Sequence, residues 1–505
     1  MKAQEVTLQK DLNEVLKTFQ NAVPQRAAHE FELTPLDRLG IPLWGAFVWA
    51  EDDDFSDGFG YGADTLAARV SAWGEVLENY YATRSLNKMP RQKASYNQLQ
   101  KSNLNAVDPV SLCLDAGVDY SDDRELVWVS GQNYSSNQEI WLPIEAVAIS
   151  PSDVKNDVEA KDLLFLPITN GLGAGASLEQ AVAHGVLELV QRDGDSVTFR
   201  AMDEGVRIEM DDVRDSETRR LLQFLDESGI EVIPKLAGIV CGIPVIYVVG
   251  YDRDLNDSSF HLSLSACGEA AHPDRERALA KALREFVSSR ARKRFMHGSL
   301  EDMRRVAPAK YSERVLSDEL GGDESRALKS VLEWLQMSKQ EFFETIKSPI
   351  FETRSIVKFS ALPTVAPSEI SDAAKLLKLL EKRLQTESIE ILYADFTPPA
   401  SDFAVVKAIV PGLEVETMSY NRIGRRNLER LLDRGRRESS FNGLVGVSDA
   451  PENALRIYLT AEDEKALNGK AWLDPNAVER AVGKLYALYR EPNGHTVGKI
   501  QGSGS

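Results

Sequence analysis

Cysteine is scarce in this chain, and long apolar runs and excess positive charge are missing. The three cysteines, Cys113, Cys241 and Cys267, have no CxxC spacing. That excludes a disulfide framework and a cysteine zinc site, and it fits a reducing cytoplasm. The most apolar uncharged stretch, Leu236 to Tyr251, falls short of the ~20 residues that span a bilayer and is broken by Gly238, Gly242 and Pro244. It reads as two strands around a Cys241-Gly242 turn. No apolar segment follows the first lysine as in a secretory signal, so the expectation is a cytoplasmic protein with no membrane partner. A formal net charge of −19 argues against nucleic acid as a partner across the whole surface and leaves only local basic patches to consider.

What is present is an ordinary globular composition, 43% hydrophobic and 27% charged over 505 residues, enough to bury a large core. Strand-like segments recur at IPLWGAFVWA, ELVWVSG, IEVIPKL, IPVIYVVGY, IVKFSAL, IEILYADF and FAVVKAIVPG, with helical segments between them. The alternation predicts an α/β fold with mixed sheets. Residues 1–30 stand apart, because Leu8, Leu12, Val15, Leu16 and Phe19 fall on one helical face. Such a face either packs on the body or a dimer mate, or docks a peptide. Residues 299–350 read as a helical insertion between a core of 31–298 and its continuation at 351–440, with 441–505 as a C-terminal segment closing on an appended GSGS.

One pattern repeats. The stretch GFGYGADTLAARVSAWGEVLENYY (58–81) is followed about a hundred residues later by GLGAGASLEQAVAHGVLELVQRDG (171–194). Aligned without a gap, Gly62 pairs with Gly175, Ala68 with Ala181, Glu75 with Glu188 and Glu78 with Gln191. A third helix offers Ala278, Glu285 and Ser288 at the same spacing, after a loop without the glycines. The core is therefore pseudo-repeated.

Residues i and i+3 of a helix are neighbours, about 5–6 Å apart at Cβ, so Glu75 and Glu78 present two carboxylates together, and Glu188 and Gln191 a carboxylate and an amide. A pair of this kind on a solvated helix face costs only tenths of a kcal/mol. Here the neighbours are small or apolar (Ala72, Trp73, Val76, Leu77; Val186, Leu187, Leu189, Val190), so the helices read as buried. Buried carboxylates need partners. If the two helices face one another, like charges ~4 Å apart repel by about 4 kcal/mol at an effective dielectric near 20. An all-oxygen cluster then suits magnesium, held by a few carboxylates and by substrate phosphates. The glycine-rich segments would let a phosphate approach a helix N-terminus, and Arg192 and Lys281 would add positive charge. No P-loop, kinase catalytic loop or dinucleotide fingerprint offers a rival nucleotide site.

At these residues the chain resembles the YcaO family. The resemblance runs through LDRLGIP (36–42), SAWGEVLEN (71–79), TNGLGAG (169–175), LELVQRD (187–193), KALRE (281–285), YADFTPP (393–399) and VPGLE (410–414). It implies a YcaO-like core that uses ATP and Mg2+ to activate a peptide backbone amide. A nucleophile adds to the amide carbon, the oxyanion takes the γ-phosphoryl group, and loss of phosphate leaves an azoline, a thioamide or an amidine. Carried over by position, Ser71, Glu75, Glu78, Thr169, Asn170, Glu188, Gln191, Arg192, Lys281 and Glu285 would bind nucleotide, with Glu75, Glu78, Glu188 and Gln191 on the metal. No catalytic acid or base is assigned. The family implies a precursor peptide as substrate, a partner protein for leader recognition or sulfur delivery, and a homodimer.

Departures from the family pattern stand at Gln191 in place of Glu, Asn79 in place of Arg, Tyr61 in place of Lys and Lys281 in place of Arg, and the proline-rich tail of many azoline-forming members is missing. Two readings follow: a peptide-modifying enzyme, weighted toward thioamide chemistry, or a YcaO-like scaffold or peptide-binding subunit with weakened ATP turnover. His184, one turn before Glu188, either faces the site or packs. The arginine-rich run from Arg422 to Arg437 and the RARKR of 290–294 either grip an acidic leader or a nucleic-acid phosphate backbone, or are helices with internal acidic partners.

Overall fold

Ile243–Asp252, buried at every position except Tyr251, and its hairpin partner Ile230–Val240 form the middle of the largest sheet of one unit. The turn between them places Cys241 at φ +48° and Gly242 at φ +74°, the two positive angles that a tight hairpin requires. This is the strand-turn-strand expected there. The structure is a computed structural model describing residues 11–49, 55–196, 202–258, 260–317, 325–414, 421–489, 492 and 494–496. Its chain divides into two units: Met1–Val76 with Thr198–Pro367 and Lys484–Ser505, and Leu77–Val197 with Ser368–Gly483.

In the first unit the five-stranded sheet runs in the order Cys267–Ala271, Ile243–Asp252, Ile230–Val240, Val206–Glu209, Ser355–Lys358, antiparallel except for the last pair. Alternation along the strand sends successive side chains to opposite faces. Ile246 and Val248 meet Leu279, Leu283 and Phe286 of the helix Arg275–His297. Tyr247 and Val249 meet Val331, Trp334, Phe342 and Ile346 of the helical stretch after residue 299. That stretch is helical as read, with Leu300–Val306, Ala309–Ser317, Ser325–Leu335 and Lys339–Ile346. IVKFSAL is a strand only over Ser355–Lys358, before a short helical turn at Phe359–Ala361.

A three-stranded antiparallel sheet, Ala28–Glu32, Leu43–Trp49 and Phe55–Tyr61, completes the strands of this unit. The helix Leu12–Asn21 buries Leu16 and Phe19, with Phe19 3.7 Å from where a Cβ on Gly74 would stand. The amphipathic face is thus packed, while Leu8 lies outside the described residues. Beneath these elements Arg290 is fully buried, its Nε 2.8 Å from Asp37 and its Nη2 3.0 Å from Asp252.

In the second unit the sheet order is Gln92–Ser95, Glu125–Asn133, Leu392–Asp395, Ala404–Ile409, Leu172–Gly175, with Glu139–Pro143 paired to Glu125–Asn133. A small sheet of Val445–Val447, Ala471–Leu473 and Leu455–Ile457 follows. The fold is the mixed α/β arrangement expected, and all three cysteines are buried. Among the described residues no helix is long and apolar enough to cross a membrane.

Candidate functional site

Three strand-helix pairs carry the repeated motif: Phe55–Tyr61 with Thr65–Leu86, Leu172–Gly175 with Leu178–Asp195, and Cys267–Ala271 with Arg275–His297. Each helix starts at an oxygen cap, where Asp64, Ser177 and Asp274 accept from Ala67, Gln180 and Glu276 N–H groups. In the sequence GFGYG and NGLGAG look like glycine-rich segments open to a phosphate. Instead, most of these glycines lie in the strands, which pack directly on the helices that follow them. A Cβ on Gly60 would stand 2.0 Å from Ala72 N, and one on Gly173 2.1 Å from Ala181 O. The third pair has its glycine too: a Cβ on Gly268 would stand 2.1 Å from Ala282 O. It is hidden in the sequence because it stands in the strand and not in the loop before the helix.

This close approach brings each repeated glutamate to the backbone of its own strand or, for Glu188, of the residue just before it. Glu75 Oε2 accepts from Phe59 N at 2.7 Å, Glu188 Oε2 from Gly171 N at 3.0 Å and Glu285 Oε2 from Glu269 N at 3.1 Å. Hydrogen bonds from backbone N–H to a carboxylate are charge-assisted, and they fix the side chain in direction. The three repeated helices thus share a carboxylate-to-backbone contact, made sixteen residues back by Glu75 and Glu285 and seventeen residues back by Glu188, whose donor Gly171 directly precedes its strand.

Within the second unit the strand Leu172–Gly175 collects a further carboxylate. Glu78 Oε1 accepts from Ala174 N at 2.7 Å, so Glu78 and Glu188 are both tied to one short segment, three residues apart. Arg192, expected to contribute free positive charge, is instead paired with Glu188 at 3.4 Å. Gln191 and Asn170 are buried, whereas Thr169 is exposed and its carbonyl accepts from Leu172 N.

Within the first unit Glu285 and Glu75 both act on Tyr61. The Tyr61 hydroxyl donates to Glu285 Oε2 at 3.1 Å. Burial, and then the charges of Glu285, Glu269 and Glu75, push that phenol well above the ordinary tyrosine range. Ser71 and Lys281 are exposed, each one turn before its glutamate. His184 holds the same place in the second helix, and it too is exposed, which corrects the reading of a packed histidine. The gapless alignment of Glu75 with Glu188 already put His184 opposite Ser71. Among the described residues no group of three or more His, Cys, Asp or Glu side chains is placed to hold a metal ion.

The arginine-rich run resolves into a helix, Arg425–Arg437, with internal acidic partners. Asp193, fully buried at the end of the second repeated helix, accepts from Arg426, Arg430 and the backbone N–H of Glu414. Glu414, itself raised to about 7 by burial and by Asp193, accepts from the N–H groups of Gly424 and Asn427 and so starts that helix. Arg425, Arg434, Arg436 and Arg437 pair with Glu429 and Asp463, Glu438, and Asp433. Within RARKR, Arg290 is buried as above and Arg294 pairs with Asp302 at 2.8 Å.

Residues 59–414 match the family model described as YcaO cyclodehydratase, ATP- and Mg2+-binding. The chain is similar to an uncharacterized protein of Methanothermobacter thermautotrophicus, 31% identical over 78% of this chain and 91% of the relative. It is also similar to an uncharacterized protein encoded in the tfuA 3′ region of Rhizobium leguminosarum bv. trifolii, 26% identical over 78% of this chain and 85% of that one. Among solved structures, the YcaO protein of Methanopyrus kandleri bound with AMPPCP and Mg2+ superposes with TM-score 0.55 at 19% identity, covering 82% of this chain and 94% of that one. A heterocyclase in complex with substrate and cofactor superposes with TM-score 0.58 at 16% identity, and the match spans 81% of this chain but only 53% of the heterocyclase.

Proposed function

Because the chain belongs to the YcaO family, we propose that it binds ATP and Mg2+ and activates a backbone amide of a ribosomally made peptide, giving a thioamide or an azoline. The observation that carries this reading is the shared anchoring of Glu75, Glu188 and Glu285, whose Oε2 atoms each accept a backbone N–H from the preceding strand or the residue that directly leads into it. Three separately folded strand-helix pairs would not repeat one carboxylate-backbone contact for packing alone, since an apolar residue fills such a space at lower desolvation cost.

The donor set fits the cofactors. Magnesium keeps waters and phosphate oxygens in its shell and needs only one or two carboxylates from a protein. In this proposal Glu75, Glu78, Glu188 and the amide oxygen of Gln191 hold the metal. Ser71, Lys281 and Glu285 of the first unit, and Thr169, Asn170 and Arg192 of the second, bind the nucleotide. When bound, ATP supplies a phosphate leaving group in place of the amide oxygen, which would otherwise depart as water. The protein's part is orientation: each carboxylate is held by a backbone donor before the cofactor arrives, so little side-chain freedom is lost on binding.

A precursor peptide is the proposed substrate, acting in a cytoplasmic homodimer with a partner protein. The Rhizobium relative is named by its position beside tfuA, which makes the product of that neighbouring gene the first partner to test. Isothermal titration of Mg-AMPPNP into the wild type and Glu75→Ala tests the site, followed by mass spectrometry of a candidate peptide incubated with ATP and partner. A loss of 18 Da per azoline or a gain of 16 Da per thioamide is the expected product signature, as elimination of water or exchange of oxygen for sulfur dictates. Failure of the wild type to bind nucleotide with partner present would sink the enzyme reading and leave the scaffold.

A further inference from the structure

The strand Phe55–Tyr61 has two faces with different duties. Gly58 and Gly60 lie against the helix Thr65–Leu86, and alternation sends Phe59 and Tyr61 to the opposite side. There Phe59 packs edge-on to Phe295 with ring centroids 5.8 Å apart, and Tyr61 reaches Glu285, both on the helix Arg275–His297. One strand thus touches two repeated glutamates: the Phe59 N–H holds Glu75 and the Tyr61 O–H holds Glu285.

Resting on the nucleotide reading above, we propose that Tyr61 is the positioning residue for Glu285, its hydroxyl acting with the Glu269 N–H to fix Oε2 and thereby the direction in which the carboxylate meets the magnesium-nucleotide complex. Oε2 of Glu285 takes two donors at 3.1 Å each, the N–H of Glu269 from its own strand and the hydroxyl of Tyr61 from another. A neutral hydroxyl suits the task, because it supplies direction without cancelling charge. A lysine at the same position would supply direction and a full positive charge together, and so would change the cation requirement. Tyr61 stays a donor throughout the working range, since burial and the surrounding carboxylates oppose its ionisation.

The experiment is a double-mutant cycle on Mg-AMPPNP affinity, measured by isothermal titration with the wild type, Tyr61→Phe, Glu285→Gln and the combined variant. Tyr61→Phe is expected to weaken binding on the order of tenfold, as loss of a hydrogen bond to a charged group implies, and to have no further effect once Glu285 is Gln. An equal loss in both backgrounds, or no loss in either, overturns the proposal. A second measurement needs no nucleotide. In protein carrying 13C-labelled glutamate, the Glu285 carboxyl resonance, assigned by its disappearance in Glu285→Gln, should titrate at higher pH in Tyr61→Phe than in the wild type. An unchanged midpoint overturns the proposal even if the wild type binds no nucleotide, whereas a shifted midpoint without nucleotide binding condemns the functional reading alone.

Discussion

Glu78 and Ala174 are joined by a 2.7 Å hydrogen bond across 96 residues of sequence, so the carboxylate of one repeat is anchored on the strand that opens the next. The charge and the acceptor of Glu78 can be separated experimentally. Glu78→Gln keeps an oxygen for the Ala174 N–H and loses the charge, while Glu78→Ala loses both. Both variants are expected to weaken Mg-AMPPNP binding at least about tenfold, and only Glu78→Ala should lower the melting temperature, by the few degrees that about 1 kcal/mol implies in a large protein. Wild-type affinity in Glu78→Gln would remove the metal role from this residue.

The strand-helix approach leaves no room for a side chain. Gly60→Ala would set a Cβ 2.0 Å from Ala72 N and 2.2 Å from Ala68 O, both backbone atoms. We expect a loss of about 3 kcal/mol or more in urea unfolding. Gly40→Ala is the control, because φ there is +62° yet nothing lies within 4 Å. It should cost only the ~1–2 kcal/mol of a left-handed non-glycine residue. Equal costs at the two positions would refute the packing argument.

Arg290→Met leaves Asp37 and Asp252 facing each other without their shared buried guanidinium. Removing one partner of a buried ion pair typically costs about 3–5 kcal/mol. Arg38, 2.6 Å from Asp252, moderates the loss on one side. Chemical denaturation at pH 7 reads the effect, and a change under 1 kcal/mol would mean that the carboxylates find water.

Two buried groups in the second unit titrate near neutrality in opposite senses. Glu414 is raised from 4.5 to about 7 and Lys407 lowered from 10.5 to about 7, in both cases chiefly by burial. The folded state binds the Glu414 proton more tightly than the unfolded chain does, so this contribution is present below pH 4.5 and lost as pH rises through 7. Lys407 does the reverse, binding its proton less tightly when folded, so stability rises as pH climbs from 7 toward 10.5. Urea unfolding between pH 5 and 9 should therefore show a minimum near pH 7. Glu414→Gln should flatten the acid limb and Lys407→Met the alkaline limb, each by an amount on the order of a few kcal/mol. Parallel curves for wild type and variants would disprove the assignment.

Much of the site was legible in the sequence because helical spacing is rigid. Glu75 with Glu188, and Glu285 at the same offset, could be aligned from apolar neighbours alone, and each accepts a backbone N–H. The hairpin at Cys241 and Gly242 was legible for a similar reason, as a break within a continuous apolar run. The glycines were misplaced because a glycine that admits a ligand and one that admits a helix look the same in a sequence. Only the neighbour, Ala72 against Gly60 or Ala181 against Gly173, tells them apart. The fate of the arginine-rich run was likewise hidden, since Asp193, Glu387 and Asp463 approach it from distant parts of the chain.

Those internal pairings leave a kinetic consequence. The arginines of Arg425–Arg437, already counted in the net charge of −19, are paired with carboxylates of the same chain, so this helix offers little local basic attraction to an incoming anion. A polyanion such as free ATP then approaches uphill, over a repulsion that reaches about a Debye length into solution. Complexation by magnesium halves the nucleotide's charge and lowers that barrier before contact, and added salt lowers it further. Association should accordingly quicken with ionic strength, opposite to the behaviour of a protein that draws its nucleotide in through a basic funnel.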